Sequence, residues 1–338
     1  MKNKITIHDI ADALNTNIST VSRALSNHPG ISTATKKAVQ DMAQKLNYRQ
    51  NKIASSLRSG RTNTIGIIIP SAERHFFGTV VHAIEQVMNK NNYTVLLYQS
   101  NESYEHERRG IETFLQLHVD GIIASIALDT QNYDHFNEIK NRGIPLILFD
   151  RTTDALNVPS VSIDDYKGGY LATEHLILKG YKRIAHITAR QQIRIFQDRL
   201  NGYKDAISDY GLEADENLIV YGDVSVESGQ YCTEKLLTLT KKPDAIFAVE
   251  DFTALGAIQK LKSLEIAVPQ EFGVIGFANE AFSAYITPSL STVDQQTKKM
   301  GETAAALFLE TIGNGNIITE NQTVILDPVL IERESSKN

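Results

Sequence analysis

The sequence predicts a small all-α head followed by a two-lobed α/β body with parallel sheets. Residues 5–50 show helical periodicity without a strand pattern. Residues 64–149 alternate short β-branched runs with amphipathic stretches, and the same alternation begins again at residue 183. Strands that alternate with helices are typical of βαβ units in a parallel sheet, and two successive series imply two lobes.

The head carries a charge opposite to that of the rest of the chain. Residues 1–64 hold ten Lys and Arg against three Asp, whereas the whole chain of 338 residues has a net charge of −6. Lys and Arg that neutralise phosphates release condensed counterions, so this asymmetry favours nucleic-acid binding by the head. A solvated basic surface without a partner is the alternative explanation.

Several protein classes are excluded by what the sequence lacks. The single cysteine, Cys232, provides neither a disulfide framework nor, without a Cys/His cluster, a zinc site. The chain has no signal-peptide pattern and no run of about 18 apolar residues, so a cytoplasmic location is expected. Dinucleotide, P-loop, nucleophile-elbow and zinc-protease motifs are absent. We therefore expect no catalytic residue, no cofactor and no metal.

The head divides into three short helices. The first begins after a Thr6 cap, the second begins near Asn17 or Ser19, and the third lies in STATKKAVQDMAQKLNY at residues 32–48. Pro29 and Gly30 separate the second helix from the third because neither continues a helix. Two short helices joined by the turn NTN and closed by a third match a helix-turn-helix, and a plain three-helix bundle is the alternative.

The body contains two series of predicted strands. The first series is TIGIII (64–69), TVLLY (94–98), GIIASI (121–126) and PLILF (145–149). The second series is RIAHIT (183–188), NLIVYG (217–222), DAIFAV (244–249) and FGVIGF (272–277). In open parallel sheets a ligand binds beyond the carboxyl ends of the strands, so two facing lobes predict a ligand cleft there.

Motifs along the whole chain resemble one family of regulators. TVSRALSN in the head, IASSLRSGRTNTIGIIIP after it, and PLILFDR, SIDDYKGGYLATEHLILKGYKRIAHI, AVEDFTALG and TPSLSTVDQ in the body occur in the family's order. The chain is therefore similar to the LacI/GalR family of bacterial transcription regulators. The resemblance implies a helix-turn-helix domain at residues 1–50, a hinge helix and linker at 51–63, and a periplasmic-binding-protein-like effector and dimerisation domain at 64–338.

The resemblance also implies a function and a set of DNA contacts. A homodimeric repressor would bind a palindromic operator and a small effector, expected to be a sugar or a sugar derivative. Ile18, Ser19 and Arg23 would face the major groove, with Thr20 and Ser22 near phosphates. Ile18 departs from the polar or aromatic residues common there and could contact a thymine methyl. The full set of implied DNA contacts is Thr6, Ile18, Ser19, Thr20, Ser22, Arg23, Asn27, Ser56, Leu57 and Arg58.

The hinge segment IASSLRSG at residues 53–60 contains a leucine that no predicted core includes. About six residues cannot hold a helix in water by themselves because helix nucleation is costly. The resemblance implies that two hinge helices pair in the minor groove, where Leu57 wedges between base steps and Ser56 and Arg58 hold the groove wall.

Candidate effector contacts follow the predicted strands. Phe76 and Phe77 form an aromatic pair expected in a loop after the first strand, where a core position is the alternative. The full candidate set is Phe76, Phe77, Asp150, Arg151, Asp165, Arg199, Glu250, Asp251 and Asn279. Carboxylates and arginines suit hydroxyl groups, although Asp165 and Asp251 also stand where helices begin and could serve as caps.

One departure from the family leaves the effector open. IGFANE places Ala278 where the family usually has Asp, which removes an expected acceptor for sugar hydroxyls. Asn279 or Glu280 could substitute, or the ligand could be acidic and bind Arg190, Arg194 or Arg199. A transport-type sugar-binding protein would share the two-lobed body, but it would need an export signal and would lack the basic head.

Overall fold

The computed structural model describes residues 5–48, 61–190, 193–313 and 322–337. The chain divides into two compact units, residues 1–62 and residues 63–338. In the described ranges, no helix combines the length and apolar character needed to cross a membrane.

The first unit contains three helices, α1 (Ile7–Ala13), α2 (Ile18–Leu25) and α3 (Thr33–Lys45). Their inward faces form a small apolar core of Ile10, Ala11, Val21, Ala24, Val39 and Ala43. The Ser32 side chain caps α3 by accepting the N–H of Thr35 at 3.2 Å. Because Val21 and Ala24 turn inward, the opposite face of α2 is left at the surface.

The second unit contains two parallel sheets, one in each lobe. Lobe 1 holds six strands in the order β11-β5-β4-β3-β1-β2, and lobe 2 holds four in the order β7-β6-β8-β9. The strands of lobe 1 are β1 (Thr64–Ile69), β2 (Thr94–Gln99), β3 (Gly121–Ala124), β4 (Leu146–Phe149), β5 (Ser160–Ile163) and β11 (Thr323–Leu326). Those of lobe 2 are β6 (Ile184–Ala189), β7 (Ile219–Gly222), β8 (Ala245–Ala248) and β9 (Gly273–Ile275).

Helices cover both sheets and bury their apolar faces. In chain order they are α4 (His75–Lys90), α5 (Tyr104–Gln116), α6 (Asp134–Asn141), α7 (Asp165–Leu178), α8 (Arg194–Asp209), α9 (Val226–Leu237), α10 (Asp251–Ser263) and α11 (Thr297–Gly313). The confirmed fold class is therefore a helix-turn-helix head followed by a two-lobed α/β body. The strand runs identified in the sequence correspond to β1–β4 and β6–β9.

The chain crosses between the lobes more than once, which the two successive strand series did not predict. After lobe 2 is complete, α11 returns to lobe 1, and β11 pairs in parallel with β5 at the sheet edge. A two-stranded antiparallel ribbon, β10 (Thr292–Asp294) with β12 (Val329–Ile331), accompanies these crossings. β10, β11 and β12 are too short for a sequence pattern to predict their partners, which are set by contacts between distant parts of the chain.

Candidate functional site

The second helix of the head presents a polar face with one apolar residue. Ile18 is 41% exposed at the start of α2, Ser19 and Arg23 are also exposed, and Thr20 is half-buried. An exposed isoleucine beside a hydroxyl and a guanidinium provides a methyl-contacting group, a short donor or acceptor, and a bidentate donor. This face has the chemical groups that contact base edges.

The flanking polar residues of the head are partly engaged with the protein. Thr6 donates its backbone N–H to the Asp9 carboxylate at 2.6 Å, and the backbone carbonyl of Asn27 accepts from Lys36 Nζ at 3.2 Å. Ser22 is half-buried. The hinge residues predicted to contact DNA, Ser56, Leu57 and Arg58, lie outside the described residues.

A cavity of about 230 Å³ lies between the lobes, at the carboxyl ends of their strands. It is lined by residues that follow β1, β2, β3 and β4 in lobe 1 and β6, β7, β8 and β9 in lobe 2, together with Gln295 after β10. They include Arg74, Phe76, Phe77, Glu102, Leu128, Asp150, Arg151, Ile195, Phe196, Arg199, Val224, Glu250, Ala278 and Gln295. We call this space the effector cavity.

Aromatic rings provide one apolar wall of the effector cavity. Phe76 and Phe77 pack edge to face with their ring centroids 5.0 Å apart, and Phe77 also meets Phe149 edge to face at 6.4 Å. Both side chains are buried, and they lie in the first turn of α4 instead of the expected loop. Phe196 adds a third ring. Phe76 and Phe77 therefore pack in the core of lobe 1 and also line the effector cavity.

An ion pair between the lobes closes one end of the effector cavity. Arg74, just before α4 in lobe 1, places Nη1 at 3.2 Å from both carboxylate oxygens of Glu250 in lobe 2. Its Nη2 donates to the Val224 carbonyl at 2.8 Å, and its guanidinium lies 4.5 Å from the Phe252 ring centroid. Burial raises the pKa of Glu250 to about 7, although Arg74 opposes this shift.

The opposite wall holds a second ion pair and an incompletely paired carboxylate. Arg151 pairs with Glu102 at 2.6 Å, and Glu102 also accepts the N–H of Leu128 at 3.0 Å. Asp150 is buried with φ +60°, and the Ser125 hydroxyl donates to it at 3.4 Å. Burial raises the pKa of Asp150 despite nearby arginines. Its carboxylate is therefore available to a ligand donor.

The floor of the effector cavity contains a buried ion pair. Arg199 Nε and Nη2 both lie 2.8 Å from Asp165 Oδ1, and Nη1 donates to the Val249 carbonyl at 2.8 Å. The guanidinium stacks 3.6 Å from the Phe277 ring centroid. Burial raises the pKa of Asp165 to about 7, against the influence of Arg199. Asp165 thus orients Arg199, and capping of α7 is done by Asp164, which accepts the N–H of Lys167.

Asp251 and Asn279 have protein partners and are not among the residues that line the effector cavity. Asp251 is fully buried and accepts 2.7 Å hydrogen bonds from the Glu280 N–H, Ser283 Oγ and Thr292 Oγ1. Burial raises its pKa to about 7. Asn279 donates to Asp294 at 2.6 Å and accepts from Arg333 at 2.8 Å. The side chains of Asp251 and Asn279 thus stabilise the loop after β9. Ala278, in this loop, lines the effector cavity.

Most of the expected effector residues meet in one place. Phe76, Phe77, Asp150, Arg151, Arg199 and Glu250 line the effector cavity, whereas Asp165, Asp251 and Asn279 support it from behind. Sequence reasoning missed Arg74, Glu102, Leu128, Ile195, Phe196, Val224 and Gln295. Arg74 stands two residues before the Phe pair, which was its one available signal. Of the three arginines proposed to bind an acidic ligand, Arg199 lines the effector cavity, whereas Arg190 and Arg194 do not.

The described residues contain no cluster of His, Cys, Asp and Glu side chains that could hold a metal ion.

Known protein families match both the head and the body of the chain. Residues 6–51 match the bacterial regulatory proteins of the lacI family, and residues 173–336 match a periplasmic binding protein-like domain. The chain is 31% identical to catabolite control protein A of Priestia megaterium, over 98% of this chain and 99% of the relative. It is 32% identical to the HTH-type transcriptional regulator RegA of Clostridium saccharobutylicum, over 98% of each chain.

A solved structure shows the same similarity over the full length. It is described as a complex of the transcriptional regulator CelR with cellobiose, and it superposes with a TM-score of 0.73 at 27% sequence identity. The match covers 98% of this chain and 99% of that one. The head and the two-lobed body therefore occur together in these relatives, as they do here.

Proposed function

Because the chain belongs to the lacI family of bacterial regulatory proteins, we propose that it is a repressor controlled by a neutral carbohydrate bound in the effector cavity. It is a DNA-binding transcriptional regulator whose partners are operator DNA, a small effector and a second copy of the chain. Its relatives are regulators, and we propose that it catalyses no reaction and works in the cytoplasm, where its operator lies.

The proposed DNA contacts are those of the exposed face of α2. Ile18 and Ser19 would meet base edges, and Arg23 would donate two hydrogen bonds to a guanine. Thr20 and Ser22 would lie near phosphates, as would Thr6 and Asn27 at the edge of this surface. The proposal also includes a hinge contact in the minor groove through Ser56, Leu57 and Arg58.

Replacement of one arginine tests the DNA-binding surface. R23A removes a bidentate donor worth about 1–3 kcal/mol, so we expect operator affinity to fall by roughly tenfold or more. Fluorescence anisotropy of the full chain with DNA selected from a random palindromic library measures this. R142A removes the same charge from an exposed position of the body and serves as the matched control. Equal affinity of R23A and R142A would contradict the proposed surface.

The effector class follows from the pairing of the arginines. Each arginine that lines the effector cavity already has a protein carboxylate: Glu250 for Arg74, Glu102 for Arg151 and Asp165 for Arg199. Above about pH 7, where Glu250 and Asp165 carry their charges, an anionic ligand would add a negative charge to a site whose cations are already neutralised, at a large desolvation cost. This pairing is the observation that supports a neutral effector.

The remaining groups favour a ring that carries hydroxyls. Among the described carboxylates that line the effector cavity, Asp150 makes no ion pair and accepts one long hydrogen bond, from Ser125 at 3.4 Å, so it can accept a ligand hydroxyl. Phe76 and Phe196 offer flat apolar faces against which the C–H face of a sugar ring can pack. A cleft in which an apolar wall faces convergent polar groups is typical of small-ligand sites.

Calorimetry with matched ligands tests the effector class. We expect neutral mono- and disaccharides to include a binder, and the uronic acid counterpart of that binder to bind at least tenfold more weakly. D150N, which keeps the size of the side chain but weakens its acceptor capacity, should reduce the affinity for the neutral sugar. Tighter binding of the acid than of the neutral sugar would contradict a neutral effector.

A further inference from the structure

A second and larger cavity adjoins the effector cavity. Its volume is about 970 Å³, and it shares the lining residues Leu128, Asp150, Arg151 and Ile195 with the effector cavity. These four residues form the boundary between the two spaces, so a ligand group bound against Asp150 lies beside both. We call the larger space the outer chamber.

The two spaces differ in capacity. Ligand pockets typically have volumes of about 300–1,000 Å³. The effector cavity, at about 230 Å³, is smaller than this range, while the outer chamber lies near its upper end. A ligand confined to the effector cavity would be the size of a single ring, and it would leave the larger adjoining space unused.

The outer chamber presents hydroxyl groups that the protein does not satisfy. Tyr133, Thr152 and Ser162 line it and are half-buried. Within the described ranges, none of their hydroxyls forms a hydrogen bond to protein. Polar groups held in a partly buried wall without partners cost free energy unless water or a ligand satisfies them. The chamber therefore suits a ligand that both donates and accepts along its length.

The charged and apolar side chains of the outer chamber restrict the class of ligand further. Asp154, Asp164 and Asp198 line it against the cations Arg151 and Arg194, so its wall has no excess of positive charge for an anion. Ile193, with the shared residues Leu128 and Ile195, supplies apolar patches. Alternating hydroxyl groups and C–H faces are a property of sugar units.

We propose that the effector is an oligosaccharide of at least two sugar units, with one unit in the effector cavity and the next in the outer chamber. This rests on the proposed carbohydrate effector. The shared residues Asp150 and Arg151 then lie at the junction of the two units. The inner unit determines ring identity, and the outer chamber selects for chain length.

Calorimetry on the full chain tests the chain length directly. The probes are glucose with maltose and cellobiose, xylose with xylobiose, and galactose with lactose. We expect at least one disaccharide to bind tenfold or more tightly than its monosaccharide. Equal affinity of the monosaccharide and its disaccharides would overturn the assignment of the outer chamber while leaving the carbohydrate effector intact. Failure of every sugar to bind would overturn both.

Variants of the outer chamber locate the second unit. The double variant Y133F/T152V removes two hydroxyls with little change in shape, and it should weaken the disaccharide several-fold while leaving the monosaccharide unchanged. Y221F removes an exposed tyrosine hydroxyl elsewhere in lobe 2 and is the matched control. T152W places a bulky ring in the wall of the outer chamber and should reduce the preference for the disaccharide.

Two results with the variants would overturn the second sugar site, provided that the variants fold. Unfolding curves of each variant verify that the fold is retained, and Y133F/T152V keeps the test valid if T152W fails to fold. Disaccharide affinity that is unchanged in Y133F/T152V would overturn the proposal. An equal loss for the monosaccharide and the disaccharide would also overturn it, because the hydroxyls would then belong to the inner unit's site.

Discussion

The two ends of the cleft are both crossed by an arginine–carboxylate pair, but the pairs differ in burial. At the inner end, the Arg74 and Glu250 side chains are 30% and 14% exposed. At the outer end, Arg194 of lobe 2 lies 3.4 Å from Asp154 of lobe 1, and these side chains are 64% and 88% exposed. The same two chemical groups therefore bridge the lobes in different dielectric surroundings.

This difference determines what each pair can do. A pair that is withdrawn from water is costly to ionise and costly to break by removal of one partner, whereas an exposed pair contributes about 0–1 kcal/mol. The inner pair can therefore fix the lobes against each other. The outer pair can separate at little cost, which leaves the mouth of the outer chamber free to admit a ligand.

The largest expected effect is a pH dependence at the inner end. Burial raises the pKa of Glu250 from 4.5 to about 7, so the folded protein keeps a proton that the unfolded chain has lost between these pH values. The native protein therefore loses stability as the pH rises through this window, by on the order of 3 kcal/mol from this group. E250Q lacks this loss, and urea unfolding at several pH values measures the difference.

The comparison with E250Q isolates a single carboxylate. Burial also raises the pKa values of Asp165 and Asp251 to about 7, but both residues are present in the native protein and in the variant. Their contributions therefore cancel in the difference. Parallel stability curves for the two proteins from pH 4.5 to 7 would show that Glu250 does not titrate as proposed.

The next largest effect is expected from R74A. Removal of the guanidinium leaves Glu250 largely buried without its cation, which should lower the free energy of unfolding by about 2 kcal/mol at neutral pH. The pKa of Glu250 should also rise further, because Arg74 holds it down. R74K keeps the charge but loses the planar fork that also reaches the Val224 carbonyl, so an intermediate loss is expected. If R74A were as stable as the native protein, the ion pair at the inner end of the cleft would not fix the lobes against each other.

A smaller loss is expected where the effector cavity meets the outer chamber. In the ion pair between Glu102 and Arg151, the Glu102 side chain is 32% exposed and the Arg151 side chain is 15% exposed. E102Q weakens the pair and should lower the free energy of unfolding by about 1 kcal/mol. E105Q, on the exposed face of α5, is the control and should lose less stability than E102Q. The same urea titrations compare them, and a larger loss in E105Q would reverse the expected order.

The smallest effect is expected from D154N at the outer end. Both partners of this pair are well exposed, so the loss should stay below about 0.5 kcal/mol and vanish at high salt. Unfolding at low and high ionic strength measures it. A loss above about 1 kcal/mol would show that the two ends of the cleft are equivalent.

Much of this architecture could be predicted because it depends on local patterns. Helical periodicity placed the three helices of the head, and β-branched runs placed the strands from β1 to β4 and from β6 to β9. Asp150, Arg151 and Glu250 were predicted from motifs that resemble the family, and they lie near strand ends because the carboxyl ends of parallel strands face the cleft. Phe76 and Phe77 were expected in a loop and were proposed as ligand contacts from the family resemblance, whereas they lie in a helix.

Pairing between distant residues could not be predicted in the same way. Arg74 and Glu250 are 176 positions apart, and Arg151 and Glu102 are 49 apart. The family resemblance assigned Asp165 and Asp251 the same expected role as Asp150, because all three stand in matching motifs. Burial and hydrogen-bond partners separate them: Asp165 orients Arg199, Asp251 holds a loop, and Asp150 faces the cavity.

The sequence by itself determined the family, the order of head and body, and the edge of each sheet where a ligand binds, because periodicity and motif order are properties of neighbouring residues. The tertiary structure decided which arginines are already neutralised, which carboxylate stays available, and that a second chamber adjoins the first. Those properties depend on distances and desolvation between residues from different strands and different lobes, which exist only after the chain has folded.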